Sequence, residues 1–73
     1  MEQQITAPLA GRILKVHIAV GARVEEDDEA LVIEALKMET PVFAPCTGTV
    51  KEVRVAEGAN VEEDDVLAVI EQS

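Results

Sequence analysis

Residues 7–34 read APLAGRILKVHIAVGARVEEDDEALVIE, and residues 44–71 read APCTGTVKEVRVAEGANVEEDDVLAVIE. Laid over one another at an offset of 37 they align without a gap, with 15 identities in 28 positions. Among the identities are Pro8/Pro45, Gly11/Gly48, Gly21/Gly58, the whole acidic run from Glu25/Glu62 to Asp28/Asp65, and Val32-Ile33-Glu34 over Val69-Ile70-Glu71. Two copies of a unit too small to bury its own apolar face are expected to pack on one another about a pseudo-twofold axis.

The unit is β. Leu14, Val16, Ile18 and Val20 fall on one side of an extended chain with Lys15 and His17 on the other, which is the period of two of a strand. The second copy repeats it, with Val53 and Val55 expected inside and Glu52 and Arg54 outside. Residues 30–34 and 66–70 are short, rich in aliphatic residues and bounded by acidic turns, as buried strands are. Gly and Pro punctuate both copies at the same places, and no segment keeps a helical spacing beyond one turn. Four short strands per half make a small β-sandwich or flattened barrel.

Composition bounds the rest. A chain of 73 residues is one small domain, burying roughly 60% of the surface exposed by its unfolded form. Its core is aliphatic, because Phe43 is the only aromatic residue; near the base of the central hairpin it is expected to plug that core. Fifteen acidic against six basic residues leave a net charge of −9, which repels a phosphate backbone and argues against nucleic acid. No apolar run reaches the roughly 18 residues that would span a bilayer. A single Cys46 has no partner for a disulfide or a metal; it is expected to be a buried filler in a protein of the reducing cytoplasm.

The acidic runs 25–29 and 62–65 lack the alternating spacing of a calcium loop and read as solvated turns. His17 is expected at the surface, without a second histidine to share a metal. No convergent set of nucleophile, base and phosphate-binding residues is present, and the chain is too short for a cleft, so it reads as a substrate of enzymes.

The two copies are joined by residues 35–42, and residue 37, the middle of the chain, is a lysine. A twofold between the halves would display Lys37 alone at one pole, with the chain ends together near the other. Glu34 and Glu39 flank it and are expected to favour its charged form.

Residues 34–40, Glu-Ala-Leu-Lys-Met-Glu-Thr, resemble the attachment motif of the biotinyl domains of biotin-dependent carboxylases and decarboxylases, whose usual form is Glu-Ala-Met-Lys-Met-Glu. The resemblance extends over the whole chain, since those domains also open on Ala-Pro-x-x-Gly, carry the internal repeat and end about 35 residues past the lysine. It implies a barrel-sandwich hybrid: two four-stranded antiparallel sheets forming a flattened barrel, here a single domain over residues 1–73 without the protruding thumb. It further implies biotin on Lys37, with Ala35, Leu36, Met38 and Glu39 as flanking positions read by biotin protein ligase. The implied partners are a biotin carboxylase and a carboxyltransferase or decarboxylase.

Two departures from that pattern stand out. Leu36 replaces the usual methionine, which weakens the distinction from lipoyl domains, where Asp is typical; Met38 favours biotin. Asp27 and Asp64 stand where many members have glycine, in a turn expected to need a positive φ. The alternatives are a lipoyl carrier of a 2-oxoacid dehydrogenase complex and an unmodified barrel-sandwich interaction module.

Overall fold

The structure is a computed structural model that describes residues 1–73. It contains eight strands: β1 (Glu2–Thr6), β2 (Gly11–Val16), β3 (Arg23–Val24), β4 (Glu29–Ala35), β5 (Met38–Phe43), β6 (Gly48–Val53), β7 (Asn60–Val61) and β8 (Val66–Gln72). They form two four-stranded antiparallel sheets that do not close into a barrel, ordered β1-β8-β6-β3 and β5-β4-β2-β7. We call these the terminal sheet and the hairpin sheet.

Adding 37 to a residue of the first half, or subtracting it from one of the second, turns one sheet into the other strand for strand. Register obeys the same rule: Glu2↔Glu71, Gln3↔Ile70, Gln4↔Val69 and Ile5↔Ala68 correspond to Glu39↔Glu34, Thr40↔Ile33, Pro41↔Val32 and Val42↔Leu31. The equivalence thus reaches back past the aligned repeat into β1 and β5, where side-chain identity is mostly lost. Connecting bonds obey it too. Asp27 N–H donates to Ala44 O at 3.0 Å and Asp64 N–H to Ala7 O at 2.9 Å; Gly21 N–H donates to Val50 O at 2.8 Å and Gly58 N–H to Ile13 O at 2.7 Å. Each sheet mixes strands of both halves, so neither half has a sheet of its own.

The core lies between the sheets and is aliphatic, with Ile13, Leu31, Ile33, Val50, Leu67 and Ile70 almost wholly enclosed and no polar side chain buried. Burying one such side chain stabilises by about 1.5–3 kcal/mol. Cys46 is a buried free thiol and His17 is exposed.

Three expectations about side-chain direction are corrected. Pairing of β2 with β4 steps from Ile13↔Ile33 to Lys15↔Val32, a bulge at Leu14. One extra residue in a strand reverses the facing of every residue beyond it. Ile13 therefore enters the core ahead of the bulge, Val16 and Ile18 pack on it behind, and Leu14 does neither. Val20, in the loop after β2, is 67% exposed. Phe43 is no core plug but 52% exposed: Val42 points inward, so Phe43, next to it on β5, points out.

Strand β2 approaches β4 closely enough that a Cβ on Gly11 would lie 2.5 Å from the carbonyl oxygen of Glu34; at Gly48 it would lie 2.1 Å from that of Glu71. Only glycine permits that approach. Gly11 thereby sets the position of the strand end that carries the central turn.

Candidate functional site

Strands β4 and β5 are joined by two residues alone, Leu36 and Lys37, between the paired Ala35 and Met38. A two-residue hairpin whose strands keep their right-handed twist takes φ > 0 at its first loop position, and at both in the type I′ turn. Leu36 has φ 51° and Lys37 φ 64°. Every other positive φ in the chain falls on Gly21, Gly58, Asp27 or Asp64, residue types that tolerate the left-handed region. A leucine or lysine there costs about 1–2 kcal/mol. The most strained residues of the fold are thus the two at its tip, and strained backbone concentrates at functional positions. The link expected over 35–42 is a hairpin, with Leu36 and Lys37 as its whole turn.

Side chains of the turn diverge into solvent. Leu36 is 96% exposed and Met38 69%; Lys37 and Glu39 are exposed, and Ala35 is half-buried at the end of β4. The five residues expected at the site therefore sit together on one turn. No carboxylate comes within 4.0 Å of the Lys37 amine. Glu34, expected to serve it, is instead engaged by Arg12, whose Nη2 donates to Glu34 Oε1 at 3.3 Å. That neighbour lies 22 residues away in sequence and becomes visible only once Arg12↔Glu34 register is known. Lys37 is left as a primary amine on a flexible four-carbon stem, with no pocket in the molecule to fold back into. Such an amine fits a covalent tether: a group joined to it by an amide would extend away from the body.

The acidic turns do more than solvate. Asp28 Oδ2 accepts the backbone N–H of Glu25 at 2.9 Å and Asp65 Oδ2 that of Glu62 at 2.8 Å, each closing its own turn. No cluster of side chains in the molecule has the arrangement of a metal site. One charged pair stands on the terminal sheet. There Lys51 Nζ donates to Glu2 Oε2; this hydrogen bond and the attraction of the ammonium hold the Glu2 carboxyl below its ordinary range and raise Lys51.

Comparison with known proteins agrees with this geometry. The family described as "Biotin-requiring enzyme" matches residues 1–70. Over 35 residues the chain is 51% identical to the methylcrotonoyl-CoA carboxylase subunit alpha, mitochondrial, of Oryza sativa subsp. japonica, a match covering 48% of this chain and 5% of that protein. Over 37 residues it is 39% identical to a biotin/lipoyl attachment protein of Bacillus subtilis (strain 168), covering 51% of each. The chain thus spans about half the length of one of these relatives and a small part of the other.

Among solved structures, the Kluyveromyces lactis urea carboxylase matches with a TM-score of 0.88 at 36% identity, over 96% of this chain and 6% of that one. A single-chain, multi-domain long-chain acyl-CoA carboxylase matches with a TM-score of 0.92 at 30% identity, over 99% of this chain and 7% of that one. With an open sandwich built on an internal twofold, a lysine at the seam and a family match over nearly its whole length, the chain belongs to the biotin-requiring enzyme family, as a biotinyl domain.

Proposed function

We propose that Lys37 is the attachment residue and that the domain is a carboxyl carrier without catalytic groups of its own. The observation that carries this reading is the Leu36-Lys37 turn, where the fold tolerates two unfavourable φ angles in order to project one uncomplexed amine. Biotin would be held through an amide between its carboxyl group and Lys37 Nζ. When bound, it supplies the chemistry of carrying a carboxyl group on its ring.

What the chain's own residues supply is position. The β4–β5 hairpin fixes the Cα of Lys37, the Glu34 carboxylate is paired with Arg12, and exposed Leu36 and Met38 border Lys37 on either side. A tether on a rigid body turns the meeting of cofactor and active site into an event at high effective concentration. The partners in this reading are biotin protein ligase, with Ala35, Leu36, Met38 and Glu39 as the positions it reads, then a biotin carboxylase and a carboxyltransferase or decarboxylase. We place this work in the cytoplasm, on the strength of a single unpaired Cys46.

A transfer assay tests the reading. Biotinylated domain incubated with a biotin carboxylase, ATP and labelled bicarbonate should acquire label, and Lys37→Arg, treated in the same way, should acquire none. Label on the Lys37→Arg protein would refute the assignment.

A further inference from the structure

The edge of a sheet presents unpaired backbone donors and acceptors, and folded proteins blunt such edges by keeping the strand short or by placing proline on it. This sandwich has four edges. Strands β3 and β7 are two residues long, and β5 carries Pro41. Strand β1 has neither device: it runs for five residues, Glu-Gln-Gln-Ile-Thr, along the outside of β8.

The twofold supplies an internal control, because Gln4 on β1 and Pro41 on β5 occupy the same backbone position. Gln72 N–H donates to Met1 O and Ala7 N–H donates to Asp65 O, so the odd-numbered residues of β1 bond inward to β8. The register step between these strands falls on β8, at Leu67, and leaves the alternation along β1 unbroken. The backbone N–H and C=O groups of Glu2, Gln4 and Thr6 therefore point away from the sheet, and all three residues are exposed. On β5, Ala44 N–H donates inward to Asp28 O, which sets Pro41 at an outward position with no donor to offer.

We propose that β1 pairs antiparallel with β1 of a second copy of this chain, about a twofold axis at Gln4, so that two terminal sheets become one. The occupant is chosen by the strand itself, which is complementary to its own copy in one register. With Gln4 opposite Gln4, Glu2 lies opposite Thr6 of the second copy, and all the outward residues stand in pairs that exchange both backbone hydrogen bonds. Sliding either copy by two residues leaves an outward residue of each strand without a partner. Glu2 is the only charged residue of the strand, and Lys51 of the same chain holds it. Beyond Ala7 lie Asp64 and Asp65, whose backbones bond to it; together with the net charge of −9 on each copy they oppose pairing.

A contact of this symmetry closes at two copies, since each has one open edge. The Lys37 turns stay clear of it. Strand β1 leads from the Met1–Gln72 end toward Gly11, which lies against Glu34 near the turn, so antiparallel pairing directs the two turns opposite ways. The proposal does not depend on what Lys37 carries.

Sedimentation equilibrium of the 73-residue chain, from about 10 μM to about 1 mM, tests it, with amide hydrogen exchange on the same samples. Average mass should rise toward twice the monomer value and stop there. Exchange at Gln4 should slow as concentration rises, while exchange at Glu39 and Phe43, outward on β5, should not change. Gln4→Pro gives β1 the residue that β5 carries at that position and should stay monomeric, with a matching unfolding midpoint to verify its fold. Thr6→Glu, a change at an exposed site, sets a like charge opposite Glu2 on both sides of the axis and should raise the dimer Kd about tenfold. Added salt should lower Kd in wild type, and more so in Thr6→Glu. A wild type that is monomeric at the highest concentration, a dimer in which Gln4 exchanges freely, a dimer unaffected by Gln4→Pro and Thr6→Glu, or association that continues past two copies would overturn the proposal.

Discussion

The Gln72 N–H donates to the carbonyl oxygen of Met1 at 2.8 Å, in the place that the twofold assigns to the Ala35 and Met38 pair closing the Lys37 turn. The chain ends are thus held together as the two sides of that turn are. On the same offset Ser73 corresponds to Leu36 and Met1 to Met38, so one residue placed between them would stand where Lys37 stands in the turn.

A circular permutant should therefore fold. Joining Ser73 to Met1 through one inserted lysine, with new ends opened between Leu36 and Lys37, should keep all eight strands and both sheet orders. Amide chemical shifts of the permutant, mapped onto the parent, provide the check. A molten or unfolded spectrum would mean that the hairpin is needed as a covalent link and that the twofold is only approximate.

Relief of the turn should stabilise the domain at the expense of its use. Leu36→Asn with Lys37→Gly supplies the residue pair preferred in such hairpins and should raise stability by about 1–2 kcal/mol in a denaturant titration. Lys37→Ala keeps the φ cost and should sit within about 0.5 kcal/mol of wild type. A destabilised Asn-Gly variant would show that the Leu36 and Lys37 side chains support the turn they occupy.

The acidic turns should respond in opposite directions to neighbouring substitutions. Asp27 and Asp64 have φ 72° and 71° without being glycine. Replacing either by glycine should stabilise by about 0.5–1 kcal/mol. Asp28→Ala and Asp65→Ala remove the side-chain acceptors for Glu25 and Glu62 and should destabilise by about 1 kcal/mol each. Thermal unfolding of the four single variants separates the two effects.

The repeat makes much of this fold legible, and its failures have identifiable causes. Residues 30–34 and 66–70 are aliphatic enough to be read as buried strands without knowing their neighbours. Leu14 is misplaced by pattern alone because a period of two cannot see the bulge that breaks it. Phe43 is misplaced because the facing along β5 depends on which of Val42 and Phe43 meets the core, and Val42 does. Lys37 is legible in the motif, but its left-handed φ depends on strand ends that sequence does not fix. The Arg12–Glu34 pair depends on register and so appears only in the fold.

The Glu2–Lys51 pair on the terminal sheet predicts a pH dependence of its own. The Glu2 carboxyl is lowered, so its contribution is present above the ordinary carboxylate value of 4.5 and is lost as pH falls through the folded-state value. Lys51 is raised from 10.5, so its contribution is present below that value and lost as pH rises through the folded one. Both groups are solvent-exposed, and the effect on stability should be small. Carboxyl carbon shifts followed by NMR should show Glu2 titrating low in wild type and returning toward its ordinary range in Lys51→Met.

Site mapping bears most directly on the role of the strained seam. After treatment with biotin protein ligase, biotin and ATP, peptide mass mapping should find one adduct, on Lys37, with Lys15 and Lys51 bare and no adduct from lipoate and lipoate ligase. Biotin on Lys15 or Lys51, lipoate on Lys37, or a fully unmodified chain would contradict the account.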